Sequence, residues 1–223
     1  MFNSYLMRKT KCFENNRSIV DLFNIFEQLM KKEEEVALHC YRTALIAGEI
    51  SFMLTKNKKF SDKVFMSGLL HDIGKLETPK EILKSTGKLS NSERIQVQKH
   101  PVDGALIAQK SGVTDGLILG VIFTHHKRFD MTGYPCDAQP QKLASSIISV
   151  CDAFDAMCYS RPYAKPKSVP EAGREISNGS GTQFHPKIAK HFLNFVSSCE
   201  NDEFQQNFYE NYAWERPKVV VLC

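Results

Sequence analysis

The chain has 223 residues, with 29 lysines and arginines against 25 aspartates and glutamates, and a formal net charge of +4. This length suits one domain with a short extension, and the charge is too balanced for a protein that wraps DNA. The seven cysteines show no C-x-x-C spacing, which favours a reducing compartment over a disulfide framework. Because no signal peptide and no apolar stretch of about 20 residues is visible, we expect a cytoplasmic protein without a membrane span.

The first third of the chain is predicted as amphipathic helices. Apolar residues recur at helical spacing over 19–30 and again over 36–54. A third helix is predicted to begin at Ser61, a favourable N-cap residue, and Gly74 offers a C-terminal stop after it.

The middle of the chain carries signals for the start of two more helices. Ser90 and Glu93 have the form of a capping box, which predicts a helix that ends near His100. Pro101 suits the first turn of the helix that follows.

Two further helices are predicted over 114–126 and 142–159, and the second is apolar nearly all round, as a central helix would be. The loop between them is rich in turn residues. We therefore expect an all-α fold in which 1–32 form a helical extension, 33–198 form the catalytic domain, and 199–223 form a tail packed on that domain.

Eight metal-capable side chains recur at intervals that a helical enzyme could fold into one pocket: Glu35, His39, His71, Asp72, His100, His125, His126 and Asp152. Glu35 and His39 are four residues apart and would project from one face of a helix. Taken alone, Glu35 is also typical of a solvated helix start, and His100 is also typical of a cap or a surface position.

The most informative pair is His71 and Asp72, because a carboxylate has two oxygens that can bridge two cations, as hydrolysis of phosphoesters requires. A lone His-Asp pair is otherwise common as a cap.

Asp152 follows an apolar run, and a buried carboxylate needs a partner or a metal. With Lys75 one turn after His71, the pattern predicts a metal-dependent phosphodiesterase. Asp155 could orient another residue, contact a ligand, or pair with Arg161.

Mixed imidazole and carboxylate ligands favour iron, manganese, zinc, nickel or cobalt over calcium. The order of these residues resembles the HD-GYP family of bacterial cyclic-dinucleotide phosphodiesterases, a branch of the His-Asp metal hydrolases. The resemblance extends over roughly residues 33–197. The matching stretches are HDIGK at 71–75, HPVDG at 100–104, HHKRFDMTGYP at 125–135, SVCDAFDA at 149–156, RPY at 161–163 and GTQFHP at 181–186.

The resemblance implies a compact bundle of about seven core helices around two or three divalent metal ions, iron or manganese before nickel, cobalt or zinc. It implies that Asp72 bridges two ions, one served also by His39, His71 and Asp152 and the other by His100, His125 and His126. Glu35 would join a third ion. Asp72 and Lys75 would be catalytic, and cyclic di-GMP or cyclic GMP-AMP would be opened to the linear dinucleotide and then to mononucleotides.

The resemblance also implies which residues contact the substrate and which proteins bind. The substrate contacts would be Lys75, Asp155, Arg161, Lys165 and Tyr134. Tyr134 and its neighbours could contact a GGDEF-type cyclase, although the same residues are typical of a structural turn. A homodimer could form through the first helix and the aromatic tail.

The chain departs from the family pattern at Lys127, Met131, Ala164 and His185. These departures leave the expected ligands intact, so they bear on the substrate more than on the metals. The alternative function is a catalytically weak receptor or adaptor that binds a cyclic dinucleotide or a cyclase.

Overall fold

A computed structural model describes residues 17–136, 138–139, 142–159 and 165–198. Apart from two isolated bridges, the secondary structure of these residues is helical, so the predicted all-α fold is confirmed. The helices are α1 (Arg17–Lys32), α2 (Glu34–Thr55), α3 (Lys58–Leu70), a 3₁₀ helix (Ile73–Leu76), α4 (Lys80–Leu83), α5 (Asn91–Val97), α6 (His100–Lys110), α7 (Gly116–Thr124), α8 (Leu143–Cys158), α9 (Val169–Asn178) and α10 (Pro186–Ser198).

The start of α3 differs from the prediction. Asn57 is the N-cap, and its side chain accepts a hydrogen bond from the backbone N–H of Phe60 at 3.0 Å. Ser61 lies inside the helix, where its hydroxyl donates to the carbonyl of Gly48 at 2.6 Å. The prediction for Ser61 was wrong because Asn57, an equally good cap, stands one turn earlier.

Other helix boundaries follow the sequence more closely. The capping box of Ser90 and Glu93 opens α5, and Pro101 lies in the first turn of α6, as predicted. A second capping box, Ser168 with Glu171, opens α9. The starts of these helices are therefore determined by capping residues next to them in the sequence.

Gly74 does not terminate α3, which ends at Leu70, but lies in the 3₁₀ helix. Its role is close packing, because a Cβ at this position would lie 1.9 Å from the carbonyl oxygen of His100. Gly104 faces it from α6, where a Cβ would lie 3.1 Å from the backbone nitrogen of Gly74. Backbone therefore meets backbone here, which fixes the segment after Asp72 against the start of α6.

Helix α8 runs through the interior and packs against α2, α3, α7, α9 and α10. Its residues Ile147 and Ile148 are fully buried in one of two apolar clusters. The other cluster contains Phe26 and Leu29 of α1 together with residues of α2 and α3, and the division after residue 32 stays a prediction. No helix in the described ranges is long and apolar enough to cross a membrane. The expected tail, 199–223, lies outside the described residues.

Candidate metal centre

The structure brings seven of the eight expected ligands together, mostly from helix ends. The segment between α3 and the 3₁₀ helix supplies His71 and Asp72, and the segment after α7 supplies the paired histidines. Two groups have ligand atoms within 4.8 Å of one another: Asp72 with His100, His125 and His126, and Asp72 with His39 and His71. The Oδ1 atom of Asp152, from α8, lies 2.9 Å from Nε2 of His39. Asp72 belongs to both groups.

Asp72 presents one oxygen to each group. Its Oδ1 atom lies 3.1 Å from Nε2 of His100 and 3.9 Å from Nε2 of His125. Its Oδ2 atom lies 3.5 Å from Nε2 of His71 and 3.9 Å from Nε2 of His39. This is the arrangement by which one carboxylate can bridge two cations.

Backbone carbonyls fix the orientation of three of the imidazoles. In each case Nδ1 contacts the carbonyl oxygen three residues earlier: His71 to Gly68 at 2.7 Å, His100 to Val97 at 2.6 Å, and His125 to Ile122 at 2.8 Å. A carbonyl can only accept, so Nδ1 carries the proton in each ring. The Nε2 lone pair of a neutral ring then faces the pocket and is free to bind a metal.

The fourth imidazole, His39, is oriented by a side chain. Its Nδ1 lies 2.7 Å from Oδ2 of Asp155, which is fully buried. Arg42 holds that carboxylate from the other side, donating from Nε to Oδ1 at 2.7 Å and from Nη2 to Oδ2 at 2.9 Å. The guanidinium also stacks on Tyr159, 3.8 Å from the ring centroid. His39 is thus the end of a buried hydrogen-bonded chain.

The donor set fits a cation. Two buried atoms, Nε2 of His71 and Oδ1 of Asp72, lack a hydrogen bond of acceptable geometry. In addition, Nε2 of His100 lies 3.1 Å from Nε2 of His125, although both rings hold their proton on Nδ1. Buried polar atoms are normally satisfied, and facing lone pairs repel. Divalent cations at these positions would satisfy all of these atoms.

Burial and charge set the protonation states of the metal-free centre. Burial opposes ionisation of Asp72, but the ammonium of Lys75 holds the pKa of its carboxyl well below the usual range. Burial also opposes ionisation of Asp152, and His39 is the main group that keeps its pKa low. Both carboxylates are therefore ionised and available to a metal at neutral pH.

The histidines divide into two classes. Burial lowers the pKa of His126 to about 4, and burial together with neighbouring imidazoles lowers the pKa of His125 well below its usual value. Burial also acts against a proton on His39, but hydrogen bonds to Asp152 and Asp155 outweigh it and raise the pKa to about 9. Without metal, His39 therefore holds a proton that ligation must displace.

Two residues lie in positions that differ from those expected: the expected ligand Glu35 and the expected substrate contact Asp155. Glu35 is exposed in the first turn of α2 and belongs to neither group of ligand atoms, so its part in a third metal site stays a prediction. Asp155 was expected among the substrate contacts. Its full burial and its hydrogen bonds to His39 and Arg42 instead make it an orienting residue, because no face of the carboxylate is left for substrate. The expectation of substrate contact is therefore corrected.

The ammonium of Lys75 lies 2.5 Å from Oδ2 of Asp72, at the mouth of the cluster. Tyr134 stacks on His126 with ring centroids 4.6 Å apart. Burial raises the pKa of the Tyr134 phenol, which therefore keeps its proton and can donate it. Lys165 is exposed, and Arg161 lies outside the described residues, as does Ala164.

The loop that carries Tyr134 is held by its own backbone and by the segment before α10. Gly133 has φ +84°, and a Cβ there would lie 2.3 Å from the carbonyl oxygen of His126. The backbone N–H groups of Phe129 and Asp130 donate to carbonyls of Gln183 and Thr182, at 3.1 Å and 2.8 Å. The loop is thus a firm rim of the pocket.

Three of the residues that depart from the family pattern, Lys127, Met131 and His185, lie in or against this loop. Lys127 is buried, and its ammonium donates to the carbonyl of Cys136 at 3.0 Å. Met131 has φ 70° and a half-exposed side chain. His185 packs edge-on against Phe129, with ring centroids 5.0 Å apart. None of these three side chains is among the candidate ligands.

Arg42 is a residue that sequence reasoning missed. The signal was present, because Arg42 follows His39 by three residues and Asp155 follows Asp152 by three residues. Side chains three apart share a helix face, so two facing helices that each carry such a pair can form a four-residue network. The network could not be predicted from the sequence because the contact between α2 and α8 was not known.

Comparison with known proteins finds similarity to the HD domain and to phosphodiesterases of cyclic dinucleotides. A sequence model of the HD domain matches residues 16–188. A cyclic di-GMP phosphodiesterase from Thermotoga maritima is 31% identical over 208 residues, which cover 86% of this chain and 56% of the relative. A 3'3'-cGAMP-specific phosphodiesterase 1 from Vibrio cholerae is 30% identical over 168 residues, which cover 73% of this chain and 39% of the relative. The chain thus spans about half the length of these curated relatives, or less.

Among solved structures, the HD domain of the phosphodiesterase PgpH from L. monocytogenes superposes with a TM-score of 0.60 at 17% identity. The superposition covers 81% of this chain and 98% of that domain. At this identity the match supports the fold alone.

Proposed function

Since the chain belongs to the HD domain family, we propose that it is a metal-dependent phosphodiesterase that hydrolyses a cyclic dinucleotide. The observation that carries the proposal is the position of Asp72, whose two oxygens face two separate groups of imidazoles. The names of the two relatives support cyclic di-GMP or 3'3'-cGAMP as the substrate. The product would be the linear dinucleotide, and then mononucleotides.

Two divalent ions, iron or manganese, would be held by Asp72 with His39, His71 and Asp152, and by Asp72 with His100, His125 and His126. When bound, such ions polarise phosphoryl oxygens and lower the pKa of water. Lys75 would supply a positive charge to the negative charge that develops on the phosphoryl group, in a site where water screens it poorly. Tyr134 would donate a hydrogen bond or offer its ring to a base.

Three further proposals concern binding, and the resemblance supports the first two. Arg161 and Lys165 would contact the substrate phosphates. The rim around Tyr134 would bind a GGDEF-type cyclase. A homodimer would form through α1 and the tail.

The deciding experiment is incubation of the purified protein, loaded with Mn²⁺ or Fe²⁺, with each cyclic dinucleotide in turn. We expect cyclic di-GMP or 3'3'-cGAMP to be converted to a linear product that chromatography resolves. The control variant is Asp72→Asn, which keeps the shape of the side chain and removes the charge.

Loss of turnover in Asp72→Asn with turnover in the wild type would support the proposal. No hydrolysis of any cyclic dinucleotide by protein that demonstrably contains metal would refute it. Tight binding without turnover, unchanged in Asp72→Asn, would instead identify a receptor or adaptor.

A further inference from the structure

The last residue of α1 reaches the segment that carries Lys75. The ammonium of Lys32 donates to three backbone carbonyls, those of Leu76 at 2.5 Å, Thr78 at 2.8 Å and Lys75 at 3.4 Å. These residues form the end of the 3₁₀ helix and the turn that follows it. A single side chain thus joins α1 to the segment between α3 and α4.

The contact suits the chemistry of both partners. The last carbonyls of a helix lack partners within it and carry a partial negative charge. A lysine ammonium has three N–H donors, so it can serve three carbonyls at once. The geometry therefore matches a cation held at a helix C-terminus.

Both ends of this connection are anchored. On the side of α1, Phe26 and Leu29 are buried in the same apolar cluster as Leu70 and Ile73, which flank the His-Asp pair. On the other side, the 3₁₀ helix packs backbone to backbone on α6 through Gly74. The ammonium of Lys32 binds between these two fixed surfaces.

We propose that Lys32 is a positioning residue that holds the 3₁₀ helix so that the ammonium of Lys75 stays against Asp72. The carbonyl of Lys75 is one of the groups that Lys32 contacts, and the Lys75 side chain reaches Asp72 from the same residue. The catalytic part of the inference rests on the proposed phosphodiesterase function. The structural part does not, because it concerns only how this segment is held.

The first test measures the segment itself, without any substrate. Amide hydrogen exchange is followed at Glu77 and Thr78, whose N–H groups donate to the carbonyls of Gly74 and Lys75. In Lys32→Met we expect exchange about tenfold to a hundredfold faster, as loss of a hydrogen bond to a charged group predicts. Lys31→Met is the matched control, because Lys31 is exposed in the same last turn of α1 and the charge change is equal.

Lys32→Gln is measured alongside, since it keeps a donor and so guards against failure of the Met variant to fold. We expect exchange rates between those of the wild type and Lys32→Met. Equal exchange in Lys32→Met, Lys32→Gln and Lys31→Met would overturn the proposal.

The second test is a double-mutant cycle on turnover. If Lys32 acts through Lys75, Lys32→Met lowers kcat in the wild type but causes no further loss in a Lys75→Met background. Equal losses in both backgrounds would show a general structural effect and overturn the positioning role. A wild type that hydrolyses no cyclic dinucleotide would refute the proposed function, while the exchange test would still decide whether Lys32 holds the segment.

Discussion

The buried pair of Arg42 and Asp155 gives the sharpest stability prediction. The change is Arg42→Met, which keeps an unbranched apolar stem near Tyr159 but removes both hydrogen bonds from the guanidinium to Asp155. Asp155 has no exposed surface, so its carboxylate would lose the guanidinium without gaining water and would keep protonated His39 as its one described cationic partner. His39 would be the only contact that remains of those described for the carboxylate.

The expected magnitude follows from this geometry. Removal of one partner from a buried ion pair costs about 3–5 kcal/mol in free energy of unfolding when the other charge is left unpaired. Protonated His39 therefore places Arg42→Met at the low end, about 3 kcal/mol. For a domain of this size, 1 kcal/mol corresponds to roughly 2–4 °C in Tm. We therefore expect Arg42→Met to lower the Tm of the metal-free protein by about 6–12 °C.

The measurement is thermal unfolding in a chelator, so that metal binding does not add to stability. Arg128→Met is the control, because Arg128 pairs with the partly exposed Asp130 at 3.3 Å and its loss should cost less than about 1 kcal/mol. The double variant Arg42→Met with Asp155→Asn removes the charge left without its guanidinium and should recover part of the lost stability. Equal effects of Arg42→Met and Arg128→Met, or no recovery in the double variant, would refute this reasoning.

Three further predictions concern the centre and the segment behind it. Asp72→Asn should bind neither ion stably, because Asp72 belongs to both groups, and elemental analysis of the metal-loaded protein checks this; retention of both ions would contradict it. In the metal-free protein the pKa of His39 is about 9, so the ring is protonated at about pH 7.5. Metal loading at about pH 7.5 should therefore release a proton from His39, and this release should vanish well above pH 9. Calorimetry in buffers of different ionisation enthalpy measures the proton, and a heat independent of buffer would count against the assignment. Gly74→Ala should destabilise by about 3 kcal/mol in urea unfolding, because the new Cβ meets a backbone oxygen. Gly87→Ala, with nothing within 4 Å of its new Cβ, should stay within about 0.5 kcal/mol, and similar values for the two would disprove the packing argument.

The sequence predicted the helices because they depend on local spacing, while the resemblance to the HD-GYP family implied that the ligands converge. The apolar run over 142–159 predicted the central helix α8, and the placement of His71 and Asp72 at a helix end follows from the same periodicity. Such signals are local, since a helix turn repeats every 3.6 residues whatever it packs against.

What the sequence could not predict depends on which helices meet. Lys32 contacts carbonyls 43 to 46 residues later, and Arg42 contacts a carboxylate 113 residues later. No spacing rule links such positions. Glu35 illustrates the opposite case, because correct spacing from His39 on one helix did not bring it into the cluster.

The four imidazoles differ in how easily a substitution of the group that accepts their Nδ1 hydrogen bond can disturb them. His71, His100 and His125 rest on main-chain oxygens, which every amino acid provides, so exchanging the side chains of Val97 or Ile122 would leave those acceptors in place. His39 alone among the four rests on a replaceable carboxylate. Variants that gradually lose one ion while keeping the other should therefore arise most readily around α2 and α8.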